Sequence, residues 1–172
     1  MSVYDIEVKC DPAGLPRNQS RVVTDKSGMP VKSKKTGRYT VNNYQPKKTS
    51  TGKKHPAVIM QEAIVNAAKK VGAKPIKKPK AVTVTIYAYL KRPQRLKRKS
   101  DPKYPIPHTG KPDIDNIAKA VLDALNGIAY EDDSQICKVD ASKWYCFNTN
   151  LGDIDDPGLN IWIVEYEEVR ND

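Results

Sequence analysis

Soft metal ligands are scarce in this chain of 172 residues, which has two histidines, His55 and His108, and three cysteines, Cys10, Cys137 and Cys146. The cysteine number is odd and no CxxC pair occurs, which argues against a disulfide framework and against a zinc site. The thiols are expected to be buried. Each histidine sits among prolines and lysines with no triad-like partner nearby in sequence, so both are expected at the surface. No apolar run approaches the roughly 20 residues of a spanning helix. The opening Ser2-Val3-Tyr4-Asp5 is not a basic stretch followed by an apolar one. A soluble protein of the cytoplasm, with no membrane partner, is the expectation. Acidic residues are outnumbered, 20 against 30 lysines and arginines, leaving a formal charge of +10. Such an excess points to a polyanionic partner, nucleic acid before any other.

The length fits a single domain, residues 1–172, able to bury a core without disulfides or a structural metal. Tyr4, Ile6, Val8 and Cys10 alternate with charged residues, the period of a strand with one buried face. Between about 12 and 56 the pattern dissolves into Gly, Pro, Ser, Asn and Lys. There Asp25 alone opposes Arg17, Arg21, Lys26, Lys32, Lys34, Lys35, Arg38, Lys47, Lys48, Lys53 and Lys54. This basic segment is long for a loop and of the kind that orders on its partner, with a short hairpin around Val41 as its one candidate element. After Pro56, Ala57, Met60, Ile64, Ala67, Ala68 and Val71 share a helical face that Gly72 terminates. Val82, Val84, Ile86, Ala88 and Leu90 form one side of the clearest strand. Further strands are predicted over about 135–147 and 159–169. The order strand, helix, strand, helix, strand, strand predicts an α/β (α+β) fold, a mixed sheet with helices packed on it.

Against the basic background, one stretch concentrates carboxylates: Lys111-Pro112-Asp113-Ile114-Asp115-Asn116 and onward to Gly127, then Glu131-Asp132-Asp133-Ser134-Gln135. A helix is predicted from Asp113 or Asp115 to Asn126, with Ile117, Val121, Ala124 and Leu125 as its apolar stripe and Asp115, Lys119 and Asp123 on the opposite side. Crowded carboxylates repel one another, and a divalent cation is the usual reason they persist. Taken singly, Asp113 or Asp115 reads as a helix N-cap and Asp132-Asp133 as a solvated turn. Taken together, they converge if the chain after Gly127 returns to the helix start. Carboxylate-only ligation suits Mg²⁺ or Mn²⁺. An EF-hand is excluded, since from Asp113 the glycine and terminal glutamate positions hold Ala118 and Ala124. A P-loop is excluded too, because Gly52-Lys53 and Gly110-Lys111 are followed by Lys54 and Pro112.

The run KPDIDNIAKAVLDALNG followed by EDDSQI resembles the signature of the RusA family of Holliday-junction resolvases, common in bacteriophages and prophages. The likeness is close over Lys111 to Ile136. It implies that Asp113, Asp115 and Asp133 are metal-binding catalytic carboxylates, Lys119 the catalytic lysine and Asp132 an auxiliary member. It also implies a homodimer that places two active sites on a four-way junction. The basic 12–56 segment is longer than compact members of the family need.

The expected activity is therefore Mg²⁺-dependent hydrolysis of DNA phosphodiesters. Lys91, Arg92, Arg95, Lys97, Arg98 and Lys99, which lead into the acidic motif, are expected to contact phosphates. Tyr39, Tyr44, Tyr104 and Trp144 are expected to pack in the core or an interface, with base stacking as the alternative. Asp123 is expected to make a structural salt link. Two other functions fit the composition: a non-catalytic nucleic-acid-binding protein, and a nuclease for flaps or single strands.

Overall fold

The computed structural model describes residues 3–16, 19–147 and 156–166. The chain divides into two compact units, Met1–Gly14 with Pro56–Asp172, and Leu15–His55. The larger holds β1 (Val3–Lys9), α1 (Pro56–Lys70), β4 (Ala81–Leu90), β5 (Ile106–Pro107), α2 (Ile114–Leu125), β6 (Ile136–Tyr145) and β7 (Gly158–Tyr166). The smaller holds β2 (Gln19–Val22) and β3 (Val41–Tyr44), which pair antiparallel from Gln19↔Tyr44 to Val22↔Val41.

Sheet order in the larger unit is β1-β7-β4-β6-β5. Only β4 and β6 run parallel, and α2 lies in the crossover between them, as a parallel pair requires. Alternation decides which face is covered. Ile6 of β1 pairs with Ile161 of β7, which pairs with Ile86 of β4, and all three are fully buried. α1 packs against β1, α2 against β6, and the two helices against each other. Met60, Ile64 and Ala68 of α1 and Ile117, Val121 and Leu125 of α2 fill the space beneath them. The Gln61 amide donates to Ala120 O (3.2 Å) across the helix pair.

The predicted mixed α/β architecture is therefore the one found, with the helical and strand periods buried as read. Val71 is an exception at 46% exposure, just past the end of α1. The last part of the predicted final strand, 167–169, lies outside the described residues. The hairpin around Val41 exists, as β3 against β2. Its unit is built mainly from backbone hydrogen bonds and turns. Asp25 Oδ1 accepts from the backbone of Ser27 and Met29, and the turn closes at Gly28 with φ +83°. Val22, Met29, Tyr39, Val41 and Tyr44 are all exposed there. A segment with so few buried apolar groups gives almost no periodic signal to read.

Candidate active site

α2 presents its apolar stripe to the core, so Asp115, Lys119 and Asp123 are turned outward, and all three are exposed. Asp113 occupies the N-cap with extended backbone angles (φ −72°, ψ 145°), yet its side chain makes no capping hydrogen bond. The simple capping role is thus absent. Among the described residues no ion pair or hydrogen bond engages the carboxylates of Asp113 or Asp115. Two uncommitted carboxylates therefore stand at the positive end of a helix dipole, with Lys119 one turn on from Asp115. Gly14 passes over this turn so closely that a Cβ there would meet Asn116 Cβ at 3.0 Å.

Asp132 and Asp133 come after a turn that follows the end of α2. After Gly127 (φ +74°) the chain folds Tyr130 into the core, and the Tyr130 hydroxyl donates to Leu122 O at 2.7 Å, back on the last turns of α2. Burial first, then the charges of Asp133 and Asp123, raise the Tyr130 pKa well above that of an ordinary phenol. Along α2 itself Asp113 lies ten residues from Asp123, about 15 Å by the helical rise. Among the described residues, no three His, Cys, Asp or Glu side chains gather closely enough to hold a metal ion. What fits a hard cation is the donor chemistry of the Asp113 and Asp115 pair, all oxygen and unengaged. The expected salt link of Asp123 is likewise not formed among the described residues.

Asp132 is an architectural acid. It caps the 3₁₀ turn Asp133–Gln135 by accepting from Ser134 N (2.9 Å) and faces Lys78 Nζ at 3.4 Å. The bonds to Ser134, then Lys78, hold its pKa down at about 2. Gln135, 7% exposed, completes the capping box. Its Oε1 accepts from Glu131 N (2.9 Å) and Asp132 N (3.0 Å), and its Nε2 donates to Ile76 O (3.1 Å) and Lys80 O (3.0 Å). One side chain thus locks the Asp133 turn to the 76–80 loop. The Asp-x-x-Gln spacing was its readable signal.

The basic connection from β4 to α2 requires a correction. Arg92 is 3% exposed and cannot reach a phosphate. Its Nε donates to Cys146 O (2.7 Å), its Nη1 to Pro102 O (2.8 Å) and Leu96 O (3.3 Å), and its Nη2 to Tyr104 O. The loop is wrapped around this guanidinium, whose fork suits several carbonyls at once. Lys91, Arg95, Lys97, Arg98 and Lys99 remain exposed on the outside. Arg92→Ala is accordingly expected to lower unfolding stability by about 3 kcal/mol, because buried carbonyls lose a charged donor. Arg95→Ala should leave stability unchanged and reduce the salt slope of DNA binding by about one. Urea melts and salt titrations of the two variants check the pair.

Three further expectations change. His108 is 9% exposed, its ring tilted against Tyr145 at 4.5 Å, and burial followed by the charge of Lys143 pushes its pKa down. Its Nδ1 has no hydrogen-bond partner among the described residues. Of the cysteines only Cys146 is buried; Cys137 is exposed, and Cys10 is half-buried, its thiol raised to about 11 by burial and by Asp11. Tyr39, Tyr44 and Tyr104 are exposed, not core; Trp144 is half-buried and donates to Ser142 Oγ. Among the described residues no helix is long and apolar enough to cross a membrane.

The family model described as "Endodeoxyribonuclease RusA" matches residues 27–151, more than two thirds of the chain. The match takes in the acidic motif, the basic connection and, starting at residue 27, much of the basic segment that is longer than compact members of the family need. A curated relative, "Uncharacterized protein YqaN" of Bacillus subtilis (strain 168), is 54% identical over 37 residues, 22% of this chain and 26% of that protein. The match therefore spans about a quarter of that relative's length.

Proposed function

The chain belongs to the RusA family of endodeoxyribonucleases, and from that premise we propose that it hydrolyses phosphodiester bonds at four-way DNA junctions. It would act as a homodimer making paired symmetric cuts, in a bacterial cytoplasm shared with a phage or prophage. The observation that carries this reading is the pair Asp113 and Asp115 at the start of α2, with neither carboxylate used as a cap or in an ion pair among the described residues.

These two side chains would hold Mg²⁺ or Mn²⁺, and Asp133 enters as the third carboxylate on the strength of the motif alone. Such a cation, when bound, neutralises phosphate charge and lowers the pKa of a bound water. The rest belongs to the chain's own groups. Lys119, exposed on the face that carries Asp115, offsets charge developing on the phosphoryl group or its leaving oxygen. Lys91, Arg95, Lys97, Arg98 and Lys99, outside the Arg92-centred loop, engage backbone phosphates and release counterions. Arg92 shapes that loop from within.

Lys119→Ala is expected to retain junction binding while lowering the single-turnover cleavage rate by about 10²–10³-fold. Gel-shift and cleavage assays on one labelled junction read both quantities. Loss of both together would reduce Lys119 to a phosphate contact. The formal charge of +10 also fits a second reading, a non-catalytic junction-binding protein. Tight, salt-sensitive binding without scission in any divalent metal is its signature.

A further inference from the structure

Asp113 is delivered to α2 by a short arc, His108 to Pro112, tied at both ends to one residue of β6. At the near end the backbone N–H of His108 donates to Lys143 O at 3.2 Å, continuing the short β5–β6 pairing. At the far end the Lys143 ammonium donates to Gly110 O at 2.5 Å and to Pro112 O at 2.8 Å. The arc closes over the buried His108 ring, and a Cβ at Gly110 would stand 3.3 Å from His108 Cε1, a tight contact that the imidazole would have to relieve by a few tenths of an ångström. Lys143 is half-buried and spends two of its three N–H groups on these carbonyls.

Pro112 is the residue before Asp113, so the carbonyl that Lys143 holds belongs to the peptide group ending at Asp113. Because the peptide group is planar and rigid, holding its oxygen restrains the Asp113 amide and Cα along with it. The Asp113 carboxylate takes no hydrogen bond from the helix amides to orient it. Its placement therefore depends on the backbone that leads to it, and so does the spacing of the Asp113 and Asp115 pair.

We propose that Lys143 is a positioning residue for the acidic site: through Gly110 O and Pro112 O it sets the placement of Asp113 and Asp115, and thereby their affinity for a divalent cation. The inference rests on the reading of those two aspartates as metal ligands. Lys143 acts through the backbone and touches neither substrate nor cation. Groups that orient metal ligands typically govern 10- to 100-fold in metal affinity or activity.

The test is Tb³⁺ luminescence titration, with Mg²⁺ competition, of the full chain as wild type, Lys143→Met and Lys143→Arg, alongside junction-cleavage kinetics and thermal melts. Expected for Lys143→Met is cation affinity weaker by about 10-fold or more and a lower kcat, with KM for the junction unchanged. Lys143→Arg, which keeps the donors, is expected to recover both. Wild-type cation affinity in Lys143→Met overturns the inference. So does a raised KM with unchanged kcat and a shallower salt slope, which would make Lys143 a phosphate contact. Should Lys143→Met fail to fold, Lys143→Arg decides alone: near-wild-type cation affinity supports the proposal, and affinity lost in a folded protein overturns it. If the wild type itself binds no cation competitively with Mg²⁺ and cuts nothing, the acidic-site reading fails first. A wild type that does both while Lys143→Met matches it isolates failure of the Lys143 role.

Discussion

Asp115→Asn is expected to cut Mg²⁺-dependent strand scission by on the order of 10³-fold while leaving junction affinity at or above the wild-type level. Asp115 is exposed, lies in the first turn of α2 and has no side-chain partner among the described residues. The amide is nearly isosteric, so neither packing nor an ion pair is lost, and the melting temperature should hold. A loss of cleavage in a protein of unchanged stability can then be charged to chemistry alone. Removing a negative charge beside a polyanion favours binding wherever no cation bridges carboxylate and phosphate, as in an EDTA binding assay. Measured Kd, Tm and single-turnover rate on one preparation check all three parts, and a fall in Tm with cleavage intact would make Asp115 a structural residue.

The second large effect is expected at Gln135. Gln135→Leu keeps the volume and removes four hydrogen bonds, leaving Glu131 N, Asp132 N, Ile76 O and Lys80 O without that partner. Unsatisfied backbone groups in a buried setting cost about 1–3 kcal/mol each before relaxation. A net loss of about 3–5 kcal/mol is the expected result, a large share of an ordinary domain's stability. The turn bearing Asp133 and the 76–80 loop should also exchange amide hydrogens faster than the rest of the sheet. Urea unfolding and hydrogen exchange check the two parts. Gln135→Glu should fall between, since a carboxylate keeps the acceptor and loses the donors to Ile76 and Lys80. A Leu variant as stable as wild type would mean that the turn is held by its backbone alone.

The elements that position the site were legible where burial imposes a period. α2 and β4 each put apolar groups on one face, so Ile117, Val121, Ala124 and Leu125, and the even-numbered residues of Val82–Leu90, could be placed before any coordinates. The outward stripe of Asp115, Lys119 and Asp123 followed from the same periodicity. What sequence spacing could not convey was the direction of the chain after Gly127. That direction depends on the Tyr130 hydroxyl finding Leu122 O, a bond that periodicity does not announce. Arg92 was misread for a related reason. A basic run looks uniformly solvated until the loop's carbonyls are known to point inward, and then one guanidinium satisfies several of them. Lys143 carried no pattern at all, because its meaning lies in two carbonyls more than thirty residues away. In the Leu15–His55 unit, turns and backbone ladders replace a core, and neither leaves a hydrophobic period.

The most direct test of the central claim is a gel assay of a labelled synthetic four-way junction with the wild-type protein, in Mg²⁺ and in EDTA. Paired symmetric nicks that yield ligatable duplexes, present in Mg²⁺ and absent in EDTA, are the predicted result. A junction that is bound and shifted yet uncut under every divalent metal would contradict it and leave a binding protein in place of a nuclease.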